Sequence, residues 1–287
     1  MTLDEFLGAL LRLDCDPRAT APGKWKARCP SHAGRSLYVS VGESVEWVAK
    51  CFGGCTFDEV LDAVDDRRNT LPEYVPPTPE ALPAESSLNI ARDALTPAVA
   101  NAVTRAKGWS YPTLRAFGIG YADKRLIVPA YERGELANVY RYSPTGEGVK
   151  KMGLRHRQGV LYHNPSLSAL EARTPLWIVE GEPDVLSAYE LGLWAVGAPG
   201  VNTWQQRYAE RFKGRTVRIC MDCDAPGREA AYRIFMDLIP VAKHVRVVDL
   251  WPERDDGWDL TDFLMDAHKR DDLQGARAVV RWMQDRG

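Results

Sequence analysis

No run of apolar residues in this chain approaches twenty, and no secretory hydrophobic segment is visible. A membrane-spanning helix and an export signal are therefore not expected, and a soluble cytoplasmic protein is. Cysteine is scarce: six in 287 residues, three of them at metal-type spacing, which fits a reducing compartment and not a disulfide framework. Net charge is only −2, which over the whole chain argues against a polyanionic partner. There is no internal repeat, no heptad run and no G-x-x-x-x-G-K-[ST] loop to cradle a motor's ATP phosphates. The length allows two or three domains, at least one with a sizeable core.

Against these absences stand two clusters of ligand-type residues. The first is Cys29-Pro-Ser-His32 followed by Cys51-Phe-Gly-Gly-Cys55, two tight pairs separated by eighteen residues. Thiolates and an imidazole at such spacing suit tetrahedral zinc, and four protein ligands leave no open position, so the site is expected to be structural. Between the pairs, Leu37 to Val41 and Val45 to Ala49 alternate as a hairpin turning at Gly42-Glu43, giving a strand-built zinc ribbon. Cys15, Cys220 and Cys223 lack a metal-type partner pair and read as reduced packing residues.

The low net charge conceals an uneven distribution. From Arg105 to Arg157 there are eleven Lys/Arg and four Asp/Glu, so the rest of the chain sums to −9. A basic middle beside acidic machinery suits an enzyme that holds phosphates and divalent cations, although a solvated basic face would have the same composition. Residues 65–88 carry Pro72, Pro76, Pro77, Pro79 and Pro83 and read as an extended, partly polyproline linker. That gives a zinc-binding domain over 1–64, the linker over 65–88, a basic subdomain over 89–170, and a second subdomain with a final helix over 171–287.

Within the basic part, Thr96-Pro97 opens a helix to about Ala106, Tyr111 to Phe117 forms a short second helix, and Arg125–Tyr131 pairs with Glu135–Tyr142 across a turn at Arg133-Gly134. Pro129 points to an edge strand. Trp109, Tyr140 and Tyr142 interleave with the charges, where stacking on bases competes with the commoner role of core packing.

The second cluster is acidic. Glu180-Gly-Glu182-Pro-Asp184 follows the apolar strand Leu176 to Val179; Asp222-Cys-Asp224 follows Thr216 to Met221; Asp259 and Asp262 follow a strand over His244 to Leu250. Strands and helices alternate, so a mainly parallel α/β sheet is expected with its site at the carboxyl ends of the strands. Hard oxygen ligands there suit Mg²⁺ or Mn²⁺. Helix capping by Asp224 and a helix-dipole contact by Asp184 are the plainer alternatives. A last helix over Leu273 to Met283 is apolar enough to pack on the body.

The order of these pieces resembles the DnaG-type DNA primases of bacteria, phages and plasmids, outside the linker and the last two dozen residues. Phe117-Gly118-Ile119-Gly120-Tyr121 is similar to an F-x-I-G-Y stretch of their RNA-polymerase domain. The series E-G-x-x-D then D-x-D-x-x-G, here ending at Gly227, resembles the Toprim pattern of primases, topoisomerases and some nucleases. The resemblance implies synthesis of short RNA primers from NTPs on single-stranded DNA. Asp222, Asp224 and Asp259 would hold the cation, with Glu180 and Asp262 as further candidate ligands. Glu180 would act as a base or orient the attacking 3′-hydroxyl, and Asp184 would complete the acidic site. Arg141, Lys150 or Lys151, and Arg157 would contact template or nucleotide phosphates, and the zinc ribbon would read the template. Lacking a motor loop, the protein would depend on a separate replicative helicase. Three departures stand out: the second zinc pair is C-x3-C, Arg157 replaces a lysine, and Thr261 occupies the second carboxylate position of the last acidic motif. The rival readings are a Toprim-type nuclease and a non-catalytic zinc-ribbon DNA-binding protein of replication.

Overall fold

The computed structural model describes residues 1–32, 34–42, 46–65, 78–157, 159–163, 170–171, 174–200 and 203–285. Its contacts divide the chain into two compact units, Met1–Thr78 and Pro79–Gly287.

The first unit is an antiparallel sheet in the order β1 (Arg18–Ala21), β2 (Lys24–Ala27), β3 (Leu37–Val41), β4 (Trp47–Cys51), with helices α1 (Leu3–Arg12) and α2 (Phe57–Asp65). Thr2 and Glu5 form a reciprocal capping box at the start of α1. Period-two alternation sends Ala27, Leu37, Val39 and Cys51 to one face, where they pack with Phe6, Leu10 and Val60. The expected hairpin exists as β3 and β4; Glu43, assigned to its turn, lies outside the described residues. Strands β1 and β2 carried no signal, being four residues each and mostly exposed.

Of the stretch expected to be an extended linker, residues 66–77 lie outside the described residues, and its end is not extended. Helix α3 (Glu85–Ala94) starts within it, because Leu88 and Ala91, three apart on one helical face, bury against Ile127 and Val139. Helix α4 (Pro97–Lys107) is capped by the Thr96 side chain and ends at Gly108, whose φ of +75° is the left-handed stop. Helix α5 (Tyr111–Ala116) is capped by Ser110.

An antiparallel sheet follows in the order β5 (Gly120–Ala122), β6 (Arg125–Glu132), β7 (Glu135–Tyr142), β8 (Lys151–Met152). Arg133 and Gly134 both have positive φ, as a two-residue primed turn requires. The edge assignment drawn from Pro129 is corrected: β6 is an interior strand. It tolerates proline because β5 pairs only with Arg125 to Ile127, leaving no ladder on that side at Pro129.

The remaining sheet has the order β13 (His244–Val247), β12 (Thr216–Ile219), β10 (Leu176–Val179), β11 (Ala195–Gly197), β9 (Tyr162–His163). All pairs are parallel except β9 on β11. The four residues of β10 are buried on both faces, each contributing roughly 1.5–3 kcal/mol, which explains an apolar run without alternation. Trp177 and Val179 face helices α6 (Glu182–Glu190), α8 (Leu260–Lys269) and α9 (Leu273–Asp285), while Leu176 and Ile178 face α7 (Ala225–Leu238) and the 3-10 turn Gln206–Phe212. Helix α9 packs through Ala276 and Val280, and Gln284 receives Trp177 Nε1 at 3.1 Å. From β10 the chain runs to β11 on one side, then returns to β12 on the other. The carboxyl end of β10 is thus a topological switch point, where ligands of open α/β sheets bind.

Candidate active site

In the first unit Cys29, His32, Cys51 and Cys55 converge, with one ligand atom from each within 4.8 Å of the others. His32 Nδ1 lies 3.2 Å from Cys55 Sγ and 3.8 Å from Cys51 Sγ, and Cys29 Sγ is 3.9 Å from Cys55 Sγ. Tetrahedral zinc with 2.3 Å bonds to sulfur spaces its ligands by roughly 3.6–3.8 Å, so the donor set fits that ion. The other imidazole nitrogen, Nε2, is 3.1 Å from Ser36 Oγ, and Gly53 N donates to Cys51 Sγ at 3.3 Å, fixing ring and thiolate. Gly53 has no room for a Cβ, which would strike the His32 ring. Cys15, Cys220 and Cys223 are free and buried.

In the second unit the acidic motifs follow strand ends. Glu180 comes directly after β10 and starts the turn into α6, with Pro183 in its first helical turn. Asp222 lies just beyond β12. Asp224 caps α7 by accepting from Gly227 N at 2.7 Å, and a Cβ on Gly227 would run into the Asp222 carbonyl, which accounts for glycine in this turn. Asp259 caps α8, accepting from Asp262 N at 2.8 Å, while Asp262 accepts from Asp259 N at 3.3 Å. The plain capping reading therefore holds for Asp224, and it extends to Asp259 and Asp262.

The carboxylates brought together are Asp184, Asp222 and Asp259, each offering an oxygen within 4.8 Å of the other two. This differs from the expected set of Asp222, Asp224 and Asp259. Asp184 reaches inward from the first turn of α6; Asp224 caps α7 outside the converging three, though its charge still raises Glu180, and Asp262 is turned to the Asp259 amide. Glu180 adjoins the group beside Asp222, and among the described residues its Oε2 is buried with no hydrogen-bond partner.

Such crowding has an electrostatic cost. Burial, then the charges of Asp184 and Glu180, push Asp222 up to about 9. Asp184 is raised well above the carboxylate range by burial and by Asp259, against the opposing hydrogen bonds of Thr261. Glu180 and Asp259 are also raised, first by burial; Lys150 and Lys107 pull Asp259 the other way. Carboxylates held this way need either protons or a cation. The set fits a hard divalent ion: every donor is oxygen, one buried oxygen lacks a partner among the described residues, and opposite ligands of Mg²⁺ lie about 4.2 Å apart.

The basic residues divide. Lys150 is exposed and acts on Asp259 through its charge. Lys151 Nζ pairs with buried Glu182 at 2.8 Å. Arg141 pairs with Asp123 at 2.8 Å and is half exposed. Arg157 Nε donates to Glu80 O at 2.7 Å, beside a cavity of about 980 Å³ also lined by Arg133, Arg207 and Arg211. Glu132, Glu135 and Glu210 line that cavity, but none of Glu180, Asp184, Asp222, Asp224, Asp259 and Asp262 does. Trp109, Tyr140 and Tyr142 are buried in the core and present no free face for a base. Sequence reasoning missed Glu182 and Lys107. Glu182 sits inside the quoted motif at a position the pattern leaves open, and Lys107 is the last residue of α4, where nothing local marks it as facing an acid.

Residues 177–264 match the family described as Toprim-like. The fold is similar to that of solved primase catalytic cores. It is similar to a structure of the DnaG catalytic core, with TM-score 0.53, 18% identity, and coverage of 67% of this chain and 77% of that one. A DnaG primase catalytic domain bound to single-stranded DNA matches with TM-score 0.53 and 18% identity over 68% of this chain and 78% of that one. Among curated proteins, the gene 57 protein of Mycobacterium phage D29 is 36% identical over 80 residues, 28% of this chain. The match spans about half that relative's length, 49%. A Toprim-like α/β domain and a Cys/His cluster of zinc-ribbon type thus occur in one chain. Among the described residues no helix is long and apolar enough to cross a membrane.

Proposed function

We propose that this protein is a DNA primase, joining ribonucleoside triphosphates into short RNA primers on single-stranded DNA. The observation that carries this reading is the convergence of Asp184, Asp222 and Asp259, beside Glu180, at the switch point of a Toprim-like sheet. Asp184, Asp222 and Asp259 would hold Mg²⁺ or Mn²⁺, with Glu180 as the nearest further ligand or base. Bound there, the cation supplies Lewis-acid stabilisation of charge on a transferring phosphate. The chain's own part is to orient: Asp224 and Asp259 fix two helix starts at the strand ends, and the exposed Lys150 offers a cation to phosphate. Arg141, half exposed, extends that positive surface. Lys151 and Arg157, engaged with Glu182 and Glu80, are assigned a supporting role.

The four-ligand zinc cluster would keep the first unit folded for template contact, and the division at 1–64, 65–88, 89–170 and 171–287 belongs to the same proposal. A separate replicative helicase, or an already exposed strand, would supply the template. The test is incubation with single-stranded DNA, labelled NTPs, and Mg²⁺ or Mn²⁺. Labelled oligonucleotides are expected. Cut DNA would identify a nuclease instead, and binding without chemistry a non-catalytic replication protein.

A further inference from the structure

Asp184 is the most enclosed of the three converging carboxylates, 5% exposed, and Thr261 meets it twice. Thr261 N lies 3.2 Å and Thr261 Oγ1 2.9 Å from the same oxygen, Asp184 Oδ1. The contacts continue inward. Ser187 Oγ is 2.9 Å from Thr261 Oγ1, and Trp109 Nε1 is 2.9 Å from Ser187 Oγ. All these side chains are buried.

Chemistry fixes the direction of the chain at both ends. An indole N–H can only donate, and Asp184 Oδ1 is already an acceptor because the Thr261 N–H donates to it. Trp109 therefore donates to Ser187 and Thr261 donates to Asp184; the Ser187 proton goes to Thr261 Oγ1 or to Pro183 O, 3.1 Å away. Trp109 is itself held between α4 and α5. Thr104 Oγ1 donates to its carbonyl at 2.7 Å, and Gly108, at φ +75°, sits so close to Leu264 of α8 that a Cβ would lie 2.9 Å from its methyl. The indole is a rigid anchor.

Thr261 occupies the second place of the last acidic motif, where a carboxylate would meet Asp184 charge to charge. A hydroxyl instead ties down one oxygen of Asp184. We propose that Thr261, backed by Ser187 and Trp109, is a positioning residue that holds Asp184 Oδ1 and leaves Oδ2 for a divalent cation. The inference rests on the metal site proposed above and concerns how this chain builds it.

The test is Mn²⁺ binding to the full, zinc-loaded chain, followed by electron paramagnetic resonance of free and bound Mn²⁺ and independent of any activity. Thr261→Val keeps the shape and removes the hydroxyl; it should weaken Mn²⁺ binding about tenfold, as loss of a group that orients a ligand does. Thr261→Ser should restore it. Trp109→Phe keeps a ring without the N–H and should weaken binding several-fold. Circular dichroism reports folding, and if Thr261→Val does not fold, Trp109→Phe decides. Unchanged Mn²⁺ affinity in the folded variants would overturn the inference while leaving the metal site standing. A wild-type chain that binds no Mn²⁺ would remove the metal site and this inference with it.

Discussion

Lys151 Nζ lies 2.8 Å from Glu182 Oε2, and Glu182 is only 4% exposed. The same ammonium sits 5.0 Å from the centre of the Tyr140 ring. One flexible lysine thus joins β8 to the start of α6, next to the acidic cluster. Removing it would strand a buried carboxylate beside others already raised by crowding. Lys151→Met should destabilise the protein by about 1–3 kcal/mol, below the value for a fully buried pair because the lysine is partly solvated. Glu182→Gln, which keeps an acceptor, should cost less. Urea melts measure both; a Lys151→Met midpoint equal to wild type would show that the pair contributes nothing.

Stability should also depend on pH in a defined direction. With Asp222 pushed up to about 9, the folded chain keeps a proton that the unfolded chain releases near 4. The folded state binds more protons across that window, so without divalent cation its stability is greatest at the acid end and falls as pH rises towards 9. Thermal melts in Mg²⁺-free buffer, prepared by dialysis to spare zinc, should show Tm falling from pH 6 to pH 8.5. Millimolar Mg²⁺ should reverse most of that loss at the upper end. A Tm that rises with pH, or ignores Mg²⁺, would contradict the cluster's electrostatics.

Asp222→Asn separates charge from function. The amide cannot ionise, so the variant should melt several degrees above wild type at pH 8 without Mg²⁺. Oligonucleotide synthesis should disappear with either Mg²⁺ or Mn²⁺, while single-stranded DNA binding persists through the basic segment. Synthesis at wild-type rate would remove Asp222 from the cation site.

What was legible in the sequence, and what was not, follows from the kind of signal. Cys29, His32, Cys51 and Cys55 could be read directly, because two tight pairs leave few geometries. The strand over Leu176 to Val179 was equally plain, a short apolar run buried on both faces. The choice between Asp184 and Asp224 was not. Both occupy motif positions, and only the side-chain placement at each helix start decides which carboxylate joins Asp222; capping does not settle it, since Asp259 caps α8 and still converges. Thr261 was noticed as a departure, but its partner lies 77 residues away, and no periodicity joins them. Pro129 misled because a local rule cannot see how far the neighbouring strand extends.

Zinc should be stoichiometric. The four ligands form one closed site, so metal analysis of protein purified without chelator should find about one Zn²⁺ per chain. Cys51→Ser should lose the ion and unfold the first unit, since Cys51 and Cys29 are also part of its small core. Template recognition should suffer more than nucleotide binding. Purified protein without zinc would end this assignment.

The last prediction concerns the open face of the first unit's sheet. Register pairs Arg18 with Lys26, Lys26 with Tyr38 and Tyr38 with Lys50, so one row crosses all four strands on the side away from the core. Tyr38 and Phe52 are 42% and 64% exposed and meet edge to face at 5.1 Å. Lys26 and Lys50 stand 5.1 and 5.0 Å from the Tyr38 and Phe52 ring centres, so each exposed ring has a cation beside it. Two exposed rings flanked by ammonium groups form a surface on which bases can stack while phosphates are neutralised. Stacking is worth about 1–3 kcal/mol per base, so Tyr38→Ala with Phe52→Ala should weaken single-stranded DNA binding at least fivefold with little change in salt dependence. Lys26→Ala or Lys50→Ala should instead weaken binding and flatten the slope against log salt by somewhat under one unit each. Fluorescence anisotropy with labelled single-stranded DNA at several salt concentrations distinguishes the two effects. Equal affinity of the double aromatic variant and wild type would place template contact elsewhere.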